Sequence, residues 1–309
     1  MSVLDVVILG GGPAGMSAAL VAGRARLRTI IVNAEAPRNA VTTASHGFLT
    51  RDGAHPTELL AVSKEQLTKY KTVRYVFGRA IGVSRHAAGF EVELSDGARF
   101  VATRIIVATG HRDELARLRL PGIEAVYGKS VYPCPFCDGY EHRDERLAVF
   151  GGEGIEHFVP VVRVWSEDVV VFTNGVSLSP GVVAAMAQRG VRVVQEPVAR
   201  LRSEGGALQA VELSDGERIP RDSGFIGEDY STPATNFLEV LGVPLTQNDW
   251  GMEVPDVDSV GKSKVPGVYA IGDARSGFGG LIAAANEGSE CMSNIVHEIA
   301  AERWRRGGE

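Results

Sequence analysis

Cysteine is scarce in this chain: three among 309 residues, two of them together in Cys134-Pro135-Phe136-Cys137. So few cysteines exclude a disulfide-stapled secreted scaffold, and no second pair is present to complete a four-cysteine zinc site. Long apolar runs are also missing, and no segment reaches the roughly 18 to 20 residues that would span a bilayer. Positive charge is not in excess. A net charge of -6 and a pI near 5.7 exclude a general electrostatic attraction for nucleic acid or anionic membrane. The opening MSVLDVVILGGG runs directly into a glycine-rich motif rather than a signal-type leader. A cytoplasmic protein with no nucleic-acid or membrane partner is therefore expected. The third cysteine, Cys291, lies in the helical pattern SECMSNIVHEIA and reads as a buried, inert thiol.

At this length, with an apolar share of 44%, two modest cores are expected. The apolar run from Val3 to Leu9 stops at Gly10-Gly11-Gly12-Pro13-Ala14-Gly15. A small-residue helix, MSAALVAGRARL, and a second strand near Thr29 to Val32 complete a βαβ unit. After a turn-rich stretch and a helix around Pro56 to Tyr70, alternating patterns in VRYVFG, GFEVELSD and ARFVATRIIVATG predict a small antiparallel insertion returning to a parallel strand. A second strand-glycine-helix pattern begins at Arg146, and its hairpin ALQAVELSDGERI echoes GFEVELSDGARF. Two copies of one architecture explain the echo, unless it is coincidence between ordinary hairpins. The last strand and long helix, from Pro255 onward, are assigned back to the first unit. The expected class is α/β, with two Rossmann-like, three-layer ββα nucleotide-binding domains: residues 1–113 and 244–309, discontinuous, and residues 114–243.

Gly10, Gly12 and Gly15 suit three steric tasks: a tight turn, close approach of backbone to a pyrophosphate, and tight packing of helix on strand. The following helix offers free N-H groups to the phosphates. Asn33 and Glu35, about 20 positions on, are candidates for the ribose hydroxyls. Glu35 is preferred because a carboxylate accepts two hydrogen bonds, although a solvated surface Glu would look the same.

Cys134 and Cys137 have the spacing of a redox dithiol at a helix start, where the dipole lowers a thiol pKa. Half of a zinc site, or two unrelated thiols, are the bland alternatives. Asp138 follows directly and is the candidate general acid/base, since a partly desolvated carboxyl can hold a proton near neutral pH. A capping Asp is its plainer reading. The run Cys137-Asp138-Gly139-Tyr140-Glu141-His142 matches no metal-ligand spacing, and no metal is expected.

Four motifs occur in order: Gly10-x-Gly12-x-x-Gly15, Ala108-Thr109-Gly110, Cys-x-x-Cys-Asp-Gly at 134 to 139, and Val265-Pro266-Gly267-Val268-Tyr269-Ala270-Ile271-Gly272-Asp273. In this the chain resembles the low-molecular-weight thioredoxin reductases over nearly its whole length. The resemblance implies FAD in the first domain, with Gly10, Gly12, Pro13, Ala14 and Gly15 at its pyrophosphate. Thr109 and Gly110 would lie near the nucleotide, and Gly272 and Asp273 at the ribityl chain. It also implies a homodimer, Cys137 as the sulfur facing the flavin, and Cys134 as the one exchanging with substrate. Ser45-His46-Gly47-Phe48-Leu49 resembles a flavin-side segment of related dithiol oxidases, which makes His46 a cofactor-side residue and a candidate proton relay. A loop His satisfied by backbone is equally consistent with the sequence.

The chain departs from that pattern where NADPH should bind. At the second glycine turn it reads Gly151-Gly152-Glu153-Gly154-Ile155-Glu156, so carboxylates stand where a bare glycine and a small residue belong. Pro160 falls in the next helix, and Thr173-Asn174-Gly175 replaces the basic run that would hold a 2'-phosphate. Loss of ordinary NADPH binding is expected, or an altered pose for NADH. A further departure is Ser276-Gly277-Phe278-Gly279-Gly280-Leu281 after Asp273, which leaves the flavin edge to backbone N-H groups or to Phe278. Trp304, in the basic end AERWRRGGE, is either a stacking group for a flavin, its own or a dimer mate's, or a frayed helix end.

The leading expectation is a thioredoxin-reductase-like FAD enzyme. It would exchange electrons between the flavin, the Cys134-Cys137 pair and a thioredoxin-like protein or small dithiol/disulfide, with a ferredoxin-type donor replacing NADPH. One alternative is a dithiol oxidase that closes disulfides and passes electrons to oxygen. Another is a non-enzymatic, redox-sensing flavoprotein.

Overall fold

The computed structural model describes residues 3–248 and 251–307. Strand Leu4–Leu9 lies inside a parallel sheet, between Thr29–Asn33 and Arg99–Val107, with Val73–Phe77 beyond the former. Val6, Val7 and Ile8 have no exposed surface, because a parallel strand covered on both faces needs an unbroken apolar run. One face carries the helices Pro13–Arg24 and Gly280–Arg306. On the other face, Phe90, Val92 and Leu94 of the hairpin Ala80–His86/Gly89–Leu94 pack on Val7, Leu9, Ile30 and Val32. The three layers are therefore helix, sheet and hairpin.

The strand read after Pro255 is Val268–Ala270, which pairs parallel with Arg99–Val107, so the first domain is completed by the far end of the chain. The two helices meet closely: a Cβ on Gly288 would lie 2.0 Å from the Ala14 carbonyl oxygen, and only glycine fits. Among the described residues no helix is long and apolar enough to cross a membrane.

The second domain repeats the plan. Its parallel strands run in the order Arg192–Val194, Val169–Phe172, Leu147–Phe150, Ser223–Ile226, Val131–Tyr132. Val198–Glu204, Ala207–Leu213 and Arg218–Pro220 form the antiparallel layer. The echoing sequences thus occupy the same topological place in both halves.

Two connectors join the halves, and they pair with each other: His111–Asp113 runs antiparallel to Ser231–Pro233. Phe237, Leu241 and Val243, which by sequence fall before the expected return at residue 244, are buried in the first core with Phe90 and Val268. The short helix Phe237–Val240 brings Phe237 and Leu241 onto one face, four residues apart, within a stretch too short to show a period.

Candidate functional site

Each glycine of the first turn has its own structural reason. Gly10 has φ +109, and a Cβ there would meet the Ala108 carbonyl oxygen at 2.1 Å. A Cβ on Gly15 would lie 1.9 Å from the Gly10 oxygen, whereas one on Gly12 would meet nothing within 4 Å. Gly12 is also the N-cap of Pro13–Arg24, with no side chain capping the helix. The turn is thus rigid on its protein side and open on its outer side, where uncapped N-H groups and the helix dipole suit a diphosphate. Asp273 and Gly110 lie side by side, a Cβ on Gly110 standing 4.0 Å from that of Asp273, and Gly272 abuts Ala14. Thr109 Oγ1 is 2.9 Å from Thr235 Oγ1. The fold thereby gathers Gly10 to Gly15, Thr109, Gly110, Gly272 and Asp273, from three distant segments, at one end of the sheet.

Asn33 and Glu35 are more heavily engaged than sequence indicates. Asn33 Nδ2 donates to the Tyr75 hydroxyl at 2.8 Å, its Oδ1 accepts from the Glu35 N-H at 3.1 Å, and its side chain fills the space where Gly11 would carry a Cβ. Glu35 Oε1 accepts from Lys64 Nζ at 2.6 Å and from the Tyr75 hydroxyl at 2.8 Å. The Lys64 ammonium, aided by Tyr75, holds the Glu35 carboxyl below the usual carboxylate range. Asn33 is a bracket beneath the turn. Beside it a cavity of about 290 Å³ opens between Gly12, Pro13, Asn39, Phe48, Thr50 and the helix Pro56–Leu67.

Arg38 was not singled out by sequence, yet it is the main cation near Asp273. Its Nε donates to Asp113 Oδ1 at 2.8 Å, and one terminal nitrogen donates at 3.3 Å to both Asp273 Oδ2 and the Gly277 carbonyl oxygen. Burial works against its charge, but Asp113 and then Asp273 outweigh that and push the guanidinium pKa up. Phe278 lies below it, ring centre 5.4 Å from the guanidinium carbon, and the Gly279 N-H donates to Asp273 Oδ1 at 3.3 Å. Both candidates for the flavin edge, Phe278 and backbone N-H, are thus already in contact with Arg38 or Asp273.

Cys134 and Cys137 form a disulfide across the turn Pro135–Asp138, and the Cys137 N-H donates to Cys134 Sγ at 3.1 Å. The helix is a single turn of four residues, so the dipole invoked from sequence is only that of one turn. Cys134 is 5% exposed and Cys137 half-buried, while Phe136 projects into solvent, edge-on to Trp165. Burial raises the Asp138 carboxyl to about 6; His46 and His142 oppose the rise and Glu141 adds to it. His142 lies 3.0 Å from Glu145 Oε2 and 3.1 Å from the Tyr132 hydroxyl. His46 reaches across from the first domain, with Nδ1 3.7 Å from Asp52 and Nε2 3.8 Å from Glu141. The loop His is therefore beside the redox segment rather than satisfied by backbone.

Apolar side chains crowd the second glycine turn. Ile155 stands 2.7 Å from where a Cβ of Gly151 would be, Val176 stands 3.2 Å from that of Gly152, and Phe158 lies against Gly227. Glu153 is exposed, and the helix Ile155–Val162 runs through Pro160. Glu228, next to Gly227, is a third carboxylate near this turn that sequence inspection missed. Asn174, at φ +50, donates to the Leu118 and Arg119 carbonyl oxygens at 3.3 and 3.1 Å and accepts from the Val198 N-H at 2.9 Å. It is a staple between loops.

Trp304 is 86% exposed in the last turn of Gly280–Arg306, and its neighbour Arg303 pairs with Asp5 at the start of the first strand. Gly10 follows the other end of that six-residue strand, about 20 Å away. Trp304 and the first glycine turn therefore lie toward opposite ends of that strand. Cys291 has no exposed surface, and burial pushes its thiol up to about 12.

The sequence profile of the pyridine nucleotide-disulphide oxidoreductases matches residues 4–288. The Bacillus anthracis protein TrxB is 34% identical and superposes with a TM-score of 0.91, covering 97% of this chain and 99% of that one. An oxidoreductase from Agrobacterium tumefaciens is 30% identical, with a TM-score of 0.88 over 97% and 99% of the two chains. Thioredoxin reductase tcpT of Claviceps purpurea is 29% identical over 288 residues, 88% of this chain and 87% of its own.

Proposed function

The chain belongs to the pyridine nucleotide-disulphide oxidoreductase family, and from that premise we propose a thioredoxin-reductase-like, FAD-dependent dithiol/disulfide oxidoreductase that does not use NADPH. The observation that carries the reading is an asymmetry. Both glycine turns are uncapped and open at their N-cap glycines, Gly12 and Gly154, and the redox disulfide is formed; but the first helix has no acidic side chain in its first turn, while the second turn carries Glu153 and Glu156 where a diphosphate would lie.

FAD fits the first domain. The Gly12 side of the turn would hold its diphosphate, Glu35 a ribose, and Thr109, Gly110 and Asp273 the chain toward the flavin ring. When bound, FAD supplies or accepts an electron pair. Reduction of the Cys134-Cys137 bond takes two electrons and two protons and yields two thiols. The Cys134 thiolate then attacks a partner disulfide, expelling one partner sulfur. The Cys137 thiolate attacks Cys134 Sγ next, which frees the partner as a dithiol and restores the bond. Asp138 holds a proton near neutral pH for the departing sulfur, and His46 and His142 balance its charge. We place the protein in the cytoplasm as a homodimer, with a thioredoxin-like partner and a ferredoxin-type electron donor.

A second reading, the dithiol oxidase with oxygen as acceptor, draws support from His46, which faces Glu141 beside Asp138. Anaerobic flavin bleaching by NADPH, NADH, reduced ferredoxin and a dithiol, each in turn, tests the proposal. Bleaching by ferredoxin and not by NADPH is expected. Rapid stoichiometric bleaching by NADPH would sink it, and oxygen uptake during dithiol turnover would favour the oxidase.

A further inference from the structure

The loop that follows Thr29–Asn33 touches the disulfide-bearing half at Val41 and His46, and the outgoing connector at Arg38. Val41 Cγ2 would lie 2.6 Å from a Cβ on Gly128, a glycine at φ +71, so the contact exists only because that residue is bare. His46 faces Glu141. Arg38 does more, because it enters a half-buried polar chain that runs from the outgoing connector to the residue before the returning one.

That chain starts at Asp273 in the first domain and passes through Arg38 to Asp113 on the outgoing connector. The other oxygen of Asp113 accepts from the Tyr127 hydroxyl at 2.7 Å. The Tyr127 hydroxyl lies 2.8 Å from that of Tyr230, whose ring meets it edge-on at 6.1 Å. Tyr230 directly precedes the returning connector Ser231–Pro233. Both tyrosines belong to the second core and are 6% and 3% exposed.

We propose that Arg38 is a positioning residue that sets the orientation of the disulfide domain relative to the cofactor, by fastening Asp273 to Asp113 and through it to Tyr127 and Tyr230. The inference rests on the reading that FAD lies at Asp273. A guanidinium suits the task because its planar fork donates in two directions at once, to Asp113 and to Asp273, while its face lies on Phe278. Lysine, a single point donor, cannot hold both carboxylates in one geometry. Arg38 therefore holds the two halves in the one arrangement described here.

Spin labels at Glu65→Cys and Arg189→Cys, both exposed and one on each half, report the arrangement in the full-length protein whether or not flavin is bound. Parent protein is expected to give one narrow distance distribution, and both Arg38→Lys and Tyr127→Phe a broadened or split one. Tyr127→Phe, which removes one hydroxyl and touches no cofactor residue, should keep full flavin content yet bleach about tenfold more slowly in saturating dithiothreitol, in step with the lost population. A single narrow distribution in both variants overturns the proposal. So does unchanged bleaching, or an effect confined to flavin loss in Arg38→Lys. A parent protein that takes up no FAD would instead sink the functional reading, a result the spin-label distances do not depend on.

Discussion

His46 Nε2 and Glu141 Oε1 stand 3.8 Å apart although they belong to different domains, one on a loop of the cofactor side and the other just past the redox turn. Their meeting brings an imidazole to the carboxyl of Asp138, and the pH behaviour of the site follows from that carboxyl.

Burial raises Asp138 to about 6 from 3.8, so between those values the folded protein binds a proton that the unfolded chain has released. The stability owed to this group is present at pH 4 and is lost as pH rises through 6. Asp138→Asn should then stabilise the protein at pH 8 by about 1 to 2 kcal/mol, after allowance for solvent at a partly open site, and give no gain at pH 4. Thermal melts at the two pH values check this. The same variant should exchange disulfides roughly 100-fold more slowly and lose the inflection near pH 6.

Gly12→Ala and Gly15→Ala should separate cofactor binding from folding. A methyl on Gly12 enters open space, so the protein should melt within a degree or two of the parent but purify with little flavin, read from absorbance near 450 nm per chain ~1:1 in the parent. A methyl on Gly15 meets the Gly10 oxygen and should lower stability by about 1 to 3 kcal/mol. Equal flavin retention in Gly12→Ala would contradict the placement of the diphosphate.

Asn174→Ala removes two hydrogen bonds to the Leu118 and Arg119 carbonyl oxygens and one from Val198, and puts alanine at φ +50. A loss of about 2 to 3 kcal/mol is expected in denaturant titration. If Asn174 serves as a staple, NADPH should shift the melting temperature of neither parent nor variant.

Thiol counting with a chromogenic disulfide should find two fast thiols in reduced native protein, from Cys134 and Cys137. Cys291, with no exposed surface and a thiol pushed up to about 12, should react only on unfolding. Three fast thiols would mean that the packing around Cys291 opens readily.

What could be read from the sequence was local. Gly10, Gly12 and Gly15 fall within six residues, and Cys134 to Asp138 within five, so a short stretch of sequence presents each group together. Arg38 and Asp273 are 235 positions apart, and only the third dimension brings them together. The same limit hid Lys64 and Tyr75 from the reading of Glu35, and the three backbone partners of Asn174.

The first sheet is unfinished until Val268–Ala270 joins Arg99–Val107, and the first helix has no cover until Gly288 settles on Ala14. On a ribosome adding 5 to 20 residues per second, roughly 10 to 30 seconds pass between the emergence of those two strands. The second domain is contiguous and can close within that interval. The nascent cofactor half must meanwhile wait with an exposed strand edge and a bare helix face, which makes it the half with more need of a chaperone.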